Sequence, residues 1–434
     1  MGSKPLKPLF FRPRSRILFP TSIYAMSHGI FMETKSQDIS KVYLDFNATA
    51  VLAGSVREQL PKLLELWGNP SSIHWAGQAI KTKVREARRD LAAILGIGPL
   101  ELIFNSGATE GNNTVLLGLC ELLEMNELPP LYQGKDEFVS TTIEHPSTER
   151  ALQQIEKRGF KVHRIRVGRN GKLDLAHALE VITSRTLLVS AMLANNETGA
   201  LLPLRELVGI AEKFGALVHT DAVQAFGKIP VNLSELGVDY ASFSGHKVGA
   251  LKGTGFLFVR KNRPFSNLVF GGGQERYRRG GTENTMGIAS MGLITRRLLE
   301  INEHGERMRE LRDYLEDEVS KRIENVTLLA SESPRLPNTS CMLIKEIDGE
   351  TLLMSLDILG FAVSTGAACS SGNPEPSPVL LNMGFSRNQA QSSLRVSMGW
   401  ETTREDVDRF IFALETVVVR LRRLSRPSFG ELSW

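Results

Sequence analysis

A lysine forms a Schiff base with a carbonyl only when its amine sheds its proton, which takes partial burial and neighbouring cations. The segment SFSGHKVGALKGTGFLFVR, residues 242–260, offers such a lysine. Lys247 follows a strand-like run and a small-residue turn, and a glycine-rich stretch leads on into another apolar run. Ser244 and His246 flank it and could each reach a phosphate oxygen. Upstream, HTDAVQAFGK places Asp221 just past the run ALVHT. A carboxylate at the carboxyl end of a strand can pair with a pyridinium nitrogen and keep such a ring an electron sink. The same aspartate could instead cap the helix that follows it. A third segment, NSGATEGNN at 105–113, reads as a strand-to-helix turn whose small residues let backbone N–H groups approach a phosphate. Thr109 is its expected N-cap. Lysine, aspartate and phosphate turn together point to a pyridoxal 5'-phosphate site.

A nucleophile stands apart from these. Cys369 sits in STGAACSSGNPEPSPVL, a run of small, polar and proline residues that reads as a mobile loop. A cysteine reacts as the thiolate and needs exposure, which a loop supplies. Cys120, inside VLLGLCELL, and Cys341, inside TSCMLIK, read as buried and structural.

The three cysteines are far apart and form no CxxC pair, which excludes a disulfide framework and a zinc cage and favours a reducing, cytoplasmic setting. A formal charge of +4 over 434 residues gives no reason to invoke nucleic acid or a membrane surface. No apolar run approaches the roughly 18 residues of a membrane span. The stretch Met1 to Phe31 carries Lys4, Lys7, Arg12, Arg14 and Arg16 and no acidic residue. Two readings of it stand open. It is an organelle-targeting peptide, or it is a disordered extension or upstream start, with Met26 or Met32 as the true beginning.

These groups need a scaffold. Strand candidates are ELIFN (101–105), EFVSTT (137–142), KVHRIRV (161–167), TLLVSAML (186–193), ALVHT (216–220), YASFSG (240–245) and GFLFVR (255–260). Amphipathic stretches lie between several of them, among them Ala76 to Leu95, Pro146 to Lys157 and Leu204 to Phe214. Strands alternating with helices predict a mostly parallel sheet covered on both faces, with ligands at the carboxyl ends of its strands. The expected organisation is an extension over 1–40, a large cofactor-binding domain over 41–290, a smaller α+β domain over 291–425 and a tail over 426–434. Residues 41–54 are allowed to pack on the smaller domain. The charged stretch GERMRELRDYLEDEVSKRI reads as the helix that leads into it.

From about Lys41 to Thr403 the sequence resembles the NifS/IscS cysteine desulfurases of the class V aminotransferase superfamily. The motifs LDFNAT, GNPSS, SGATEGNN, IEHPS, ANNETG, DAVQ, SGHK, GGGQERYRRGGT, STGAACSSG and SSLRVSMG occur in family order. The resemblance implies an α/β, fold-type I PLP-dependent transferase with a mostly parallel seven-stranded sheet, working as a homodimer. It implies that Lys247 holds the cofactor and moves protons at the substrate α-carbon, that Asp221 pairs with the ring nitrogen and that Gln224 bonds the ring oxygen. His145 would stack on the ring and assist proton transfer, and Asn196 would contact the cofactor. The phosphate would sit against Ala108, Thr109, Ser244 and His246, with Thr282 reaching in from the partner subunit. Arg395, with Asn69, would hold the substrate carboxylate, and no metal is called for.

On this resemblance the chain converts L-cysteine to L-alanine and passes sulfur to Cys369 as a persulfide, for an acceptor or scaffold protein of iron–sulfur or other sulfur-cofactor assembly. A selenocysteine lyase is the alternative of the same chemistry, and a noncatalytic PLP-binding scaffold the alternative of another class. Three places depart from the family pattern. Phe46 and Ala50-Val51 replace a common tyrosine and TTP, VGALKG replaces a YGPKG-like segment, and Tyr277 follows GGGQER.

Overall fold

The computed structural model describes residues 41–365 and 375–425. The basic extension, the tail after residue 425 and the segment that carries Cys369 lie outside the described residues.

A short strand β1 (Val42–Tyr43) opens the described chain. Seven strands then build the main sheet: β2 (Leu102–Asn105), β3 (Glu137–Thr141), β4 (Lys161–Ile165), β5 (Thr186–Ser190), β6 (Leu217–Asp221), β7 (Tyr240–Ser244) and β8 (Gly255–Val259). Their order is β2-β8-β7-β6-β5-β3-β4. Neighbours from β7 to β4 are parallel, and β8 runs antiparallel to both β2 and β7. All seven expected strands are present, each trimmed at an end. The run expected to reach residue 193 leaves the β3 ladder after Ser190, yet Ala191 and Leu193 still donate to the carbonyls of His219 and Asp221.

Burial on both faces explains the apolar strands. Every residue of β5 and β6 is buried, as parallel strands between two helical layers must be. Along β8 the side chains alternate, which is the period of a pleated strand. Phe256 and Phe258 join one core with Leu91 and Met291, while Leu257 and Val259 join another with Leu116 and Leu152. The covering helices follow the expected stretches. The first, Trp75–Ile94, buries Ala76, Ile80, Val84, Ala87 and Leu91, a stripe recurring every three or four residues. The others are Pro146–Lys157 and Leu204–Lys213.

A third core forms later in the chain. The charged stretch is the helix Ile301–Arg322, whose Met308, Leu311, Leu315 and Val319 turn inward. They pack with residues of three strands, β9 (Val326–Leu328), β10 (Thr339–Ile344) and a last strand, in a sheet with β10 at its centre. After β11 (Phe361–Ala362) that last strand is β12 (Ser393–Ser397), and the helix Arg404–Ser425 covers the same core. β1 pairs in parallel with β11, and Asp45 bridges Ser397. The start of the described chain is thereby held against strands from its end, beside the carboxyl ends of the main sheet.

Candidate active site

Three parallel strands deliver chemistry at the same edge. β6 ends on Asp221, β7 ends on Ser244 and turns through Gly245–Lys247, and the segment after β3 carries His145. Ligands of such sheets gather at this edge, where loops leave the strand ends.

Lys247 is half-buried, and its Nζ donates to the carbonyls of Asn47 at 2.7 Å and Ala48 at 2.8 Å. Burial lowers its pKa to about 8; the Arg395 cation pushes the same way, while Asp45 and Asp221 oppose it. At pH 7 about a tenth of the amine is therefore free base, far more than an ordinary lysine offers, and this is the form that makes a Schiff base. The turn that carries it lies against one of the places where the sequence departs from its relatives. Ala50 N–H donates to His246 O at 2.8 Å and Ala53 N–H to Gly249 O at 2.9 Å, so the divergent segments 50–53 and 248–253 meet through their backbones.

Asp221 is buried and accepts from Asn112 Nδ2 at 2.8 Å and from Val223 N–H at 3.0 Å. The second bond closes a local turn and caps no helix, since the next helix after β6 is Leu233–Leu236 with Asn232 as its N-cap; the first is a contact that sequence reading missed. Asn112 lies inside the quoted motif SGATEGNN, one helical turn past Ala108, and also donates to Ser147 Oγ at 2.9 Å. Its own Oδ1 is buried without a partner among the described residues. His145 caps the Pro146–Lys157 helix, accepting from Ser147 N–H. His145 as a residue is exposed, yet the protein packed around its ring pushes its pKa down by desolvation. Asp221 raises it and Lys247 lowers it further. A neutral imidazole results.

The turn expected to face a phosphate starts its helix earlier than the sequence suggests. The helix is Ala108–Glu124 and its N-cap is Gly107, not Thr109. The reason is backbone geometry: Gly107 sits at φ 147, a conformation that glycine adopts and Thr109 could not supply at this corner. Ala108 N–H donates to Ser244 Oγ at 3.0 Å, which joins the turn to the lysine strand. A Cβ on Gly255 would lie 2.6 Å from Gly107 Cα, so β8 packs its bare backbone against the turn. His246 bonds Thr49 Oγ1 at 3.1 Å, and its pKa falls to about 4 through burial, with Lys247 and Lys252 adding to the drop. Thr282 is exposed and lines a recess with Ser106 and Arg279.

Arg395, on β12, is buried and ion-paired to Asp45 at 2.7 Å, and it donates to Asn196 O at 3.0 Å. Its Nε has no partner among the described residues. Asn196 enters the network through that carbonyl, which also accepts from Asn47 Nδ2 at 3.1 Å. Gln224 donates to Asn47 O at 3.0 Å and accepts from Lys228. Asn69 is not drawn in by these bonds: it is exposed and accepts from Ser71 N–H in its own turn. Asp45 and Asn47, both in the motif LDFNAT, were left without roles by sequence reading. Replacing Asp45 with asparagine is expected to cost about 3 kcal/mol, because a buried cation loses its counterion. It should also lower the Lys247 pKa below about 8, since Asp45 raises it. Denaturant unfolding and the pH dependence of Lys247 reactivity toward an aldehyde check the two effects.

Cys120 and Cys341 are buried, and burial pushes their thiols up to about 11 and about 12. Downstream of the segment that holds Cys369, Ser377 donates to the buried carboxyl of Glu197, whose pKa burial raises to about 7 against the pull of Ser377 and Arg395. Among the described residues no group of three His, Cys, Asp or Glu side chains could hold a metal, and no helix is long and apolar enough to cross a membrane.

A mostly parallel sheet with a lysine turn after one strand and a carboxylate ending the next is the architecture of the fold-type I transferases. Residues 42–410 match the family described as aminotransferase class-V. A cysteine desulfurase, IscS, of Dictyoglomus turgidum is 41% identical, the alignment covering 89% of this chain and 96% of that protein. A solved structure named as a NifS-like protein superposes with a TM-score of 0.80 at 34% identity, over 88% of this chain and all of the other. The structure of SspA in complex with cysteine superposes with a TM-score of 0.70 at 26% identity, over 83% of this chain and 99% of that one. The chain belongs to the class-V aminotransferase family, among its cysteine desulfurases.

Proposed function

We propose that this chain is a pyridoxal-phosphate cysteine desulfurase that passes the sulfur of L-cysteine to Cys369 and releases L-alanine. The observation that carries the reading is Lys247, with its pKa brought down to about 8 beside a buried, doubly hydrogen-bonded Asp221. The residues fit the cofactor. Lys247 offers the amine, Asp221 the partner for a pyridinium N–H and Gln224 a donor for the ring oxygen, with His145 and Asn196 beside the ring. Ala108, Thr109, Ser244 and His246 offer a phosphate cradle at a helix N-terminus. When bound, the cofactor supplies an electron sink for charge developing at the substrate α-carbon.

The chain's own groups do the rest. Arg395, steadied by Asp45, takes the substrate carboxylate, with Asn69 as an outer contact. Lys247 as free base moves the proton at the α-carbon, and the neutral His145 assists. The Cys369 thiolate forms an S–S bond to the substrate sulfur as the carbon–sulfur bond breaks. The electron pair left on carbon takes up a proton, which gives alanine and a Cys369 persulfide. In this reading the protein is a homodimer, Thr282 completes the phosphate site of the neighbouring copy, and the persulfide serves an acceptor or scaffold protein of sulfur-cofactor assembly. Residues 41–290 supply the cofactor cleft and 291–425 the lobe bearing the acceptor loop.

The test is to incubate the holoenzyme with L-cysteine and a thiol reductant and to measure alanine and sulfide. Equal release of both is expected. Release from selenocysteine alone would replace this reading with a selenocysteine lyase, and release from neither would leave a noncatalytic scaffold.

A further inference from the structure

Lys228 is a buried lysine with which no carboxylate pairs among the described residues. It follows Gln224 by four residues in the turns after β6. Its Nζ donates to Asn47 Oδ1 at 2.7 Å and to Gln224 Oε1. A neutral amine has two N–H donors, and both find acceptors here. An ammonium would bring a third N–H and a charge without a counterion. Burial holds the Lys228 pKa well below the ordinary lysine value, Lys247 and Arg395 lower it further, and Asp45 opposes them.

Asn47 is the hub through which Lys228 reaches the reactive amine. It is 1% exposed, and its carbonyl receives both Lys247 Nζ and Gln224 Nε2. Its side-chain amide donates to Asn196 O and Thr339 Oγ1, and its N–H to Ser397 Oγ. Gly227, at φ 77, lets the Lys228 segment come close: a Cβ there would lie 2.4 Å from Val248, the residue after Lys247. Lys228 and Lys247 also line one cavity of about 30 Å³, large enough for a water, and Arg297 and His304 face it. The titratable and charged groups around Lys228 are thus Lys247, Arg395, Asp45, Arg297 and His304.

We propose that Lys228 is a positioning residue, a neutral donor that orients Asn47, directly and through Gln224, so that the Asn47 carbonyl receives and aims the Lys247 amine. This rests on the proposed role of Lys247. Lys228→Met removes both donors, and Lys228→Arg keeps donors but adds a permanent charge. Both are compared with wild type as full-length holoenzymes for kcat and KM on L-cysteine. Independently of turnover, the pH dependence of Schiff-base formation by the cofactor-free chain with pyridoxal reports the Lys247 amine.

Lys228→Met is expected to lower kcat about tenfold, the rate equivalent of a buried hydrogen bond, with KM within about twofold. Lys228→Arg is expected to move the Lys247 midpoint down by about one unit, as a like charge disfavours its proton. Wild-type midpoint and kcat in both variants would overturn the proposal. If the methionine variant does not fold, an unmoved midpoint in the arginine variant overturns it alone. A wild type that forms the Schiff base but releases no alanine defeats the proposed function instead, while the pyridoxal midpoints still decide whether Lys228 governs Lys247.

Discussion

Cys369→Ala is expected to abolish sulfide release from L-cysteine while the protein stays folded and keeps its bound cofactor. The sequence has three cysteines, and two are disqualified by their surroundings. Cys120 sits in a helix against Leu116 and Leu119, and Cys341 lies within β10. Burial holds both thiols at about 11 or higher, so almost none is thiolate at neutral pH. A thiol attacks sulfur far less well than a thiolate, and a persulfide on a buried cysteine is out of reach of a second protein. Cys369 remains, in a segment of small and polar residues. Removing a sole nucleophile should cost at least about a thousandfold in turnover. The assay is sulfide and alanine release under a thiol reductant, with Cys120→Ser as the control that keeps its rate. A Cys369→Ala enzyme that still releases sulfide at near the wild-type rate would mean that sulfur leaves by another route.

Lys247→Ala should eliminate both turnover and the absorbance of the lysine-linked cofactor, with a rate loss on the order of 10⁵ or more. The pH dependence in wild type is the sharper part of this expectation. The amine titrates at about 8 rather than at the ordinary 10.5. Below about 8 most of it is protonated and cannot attack an aldehyde, so the capture rate of pyridoxal phosphate should rise about tenfold per pH unit. Above that value the free base predominates and the rate should level off. Burial is the main cause of the low value and the Arg395 cation the second; Asp45 and Asp221 keep it from falling further. A plateau reached only above pH 10 would show an ordinary solvated lysine and would remove the basis of the assignment.

Much of this molecule was legible from local pattern. Seven runs of β-branched and aromatic residues separated by amphipathic stretches became the seven strands of one sheet, because buried parallel strands are apolar throughout and surface helices on one stripe. Asp221, Ser244 and Lys247 could be placed at strand ends for the same reason: Asp221 and Lys247 follow such a run within two residues, and Ser244 lies at the end of one. The N-cap of the phosphate turn was misplaced by two residues, since composition favours Thr109 whereas the corner needs the backbone freedom of Gly107.

What holds the site together could not be read in the same way. Arg395 meets Asp45 across 350 positions, Lys247 meets Asn47 across 200, and Asp221 meets Asn112 across 109. Each of these residues was visible in a motif, but a motif records residue types along the chain and not which of them face one another. The sequence by itself determined the strands of the sheet, the place of Lys247 just past one of them and the family to which the chain belongs. Only the tertiary structure decided that Arg395 is steadied by Asp45, that Asn112 holds Asp221 and that Asn47 joins two lysines, because burial leaves a polar group to find its partner wherever the packed chain brings one.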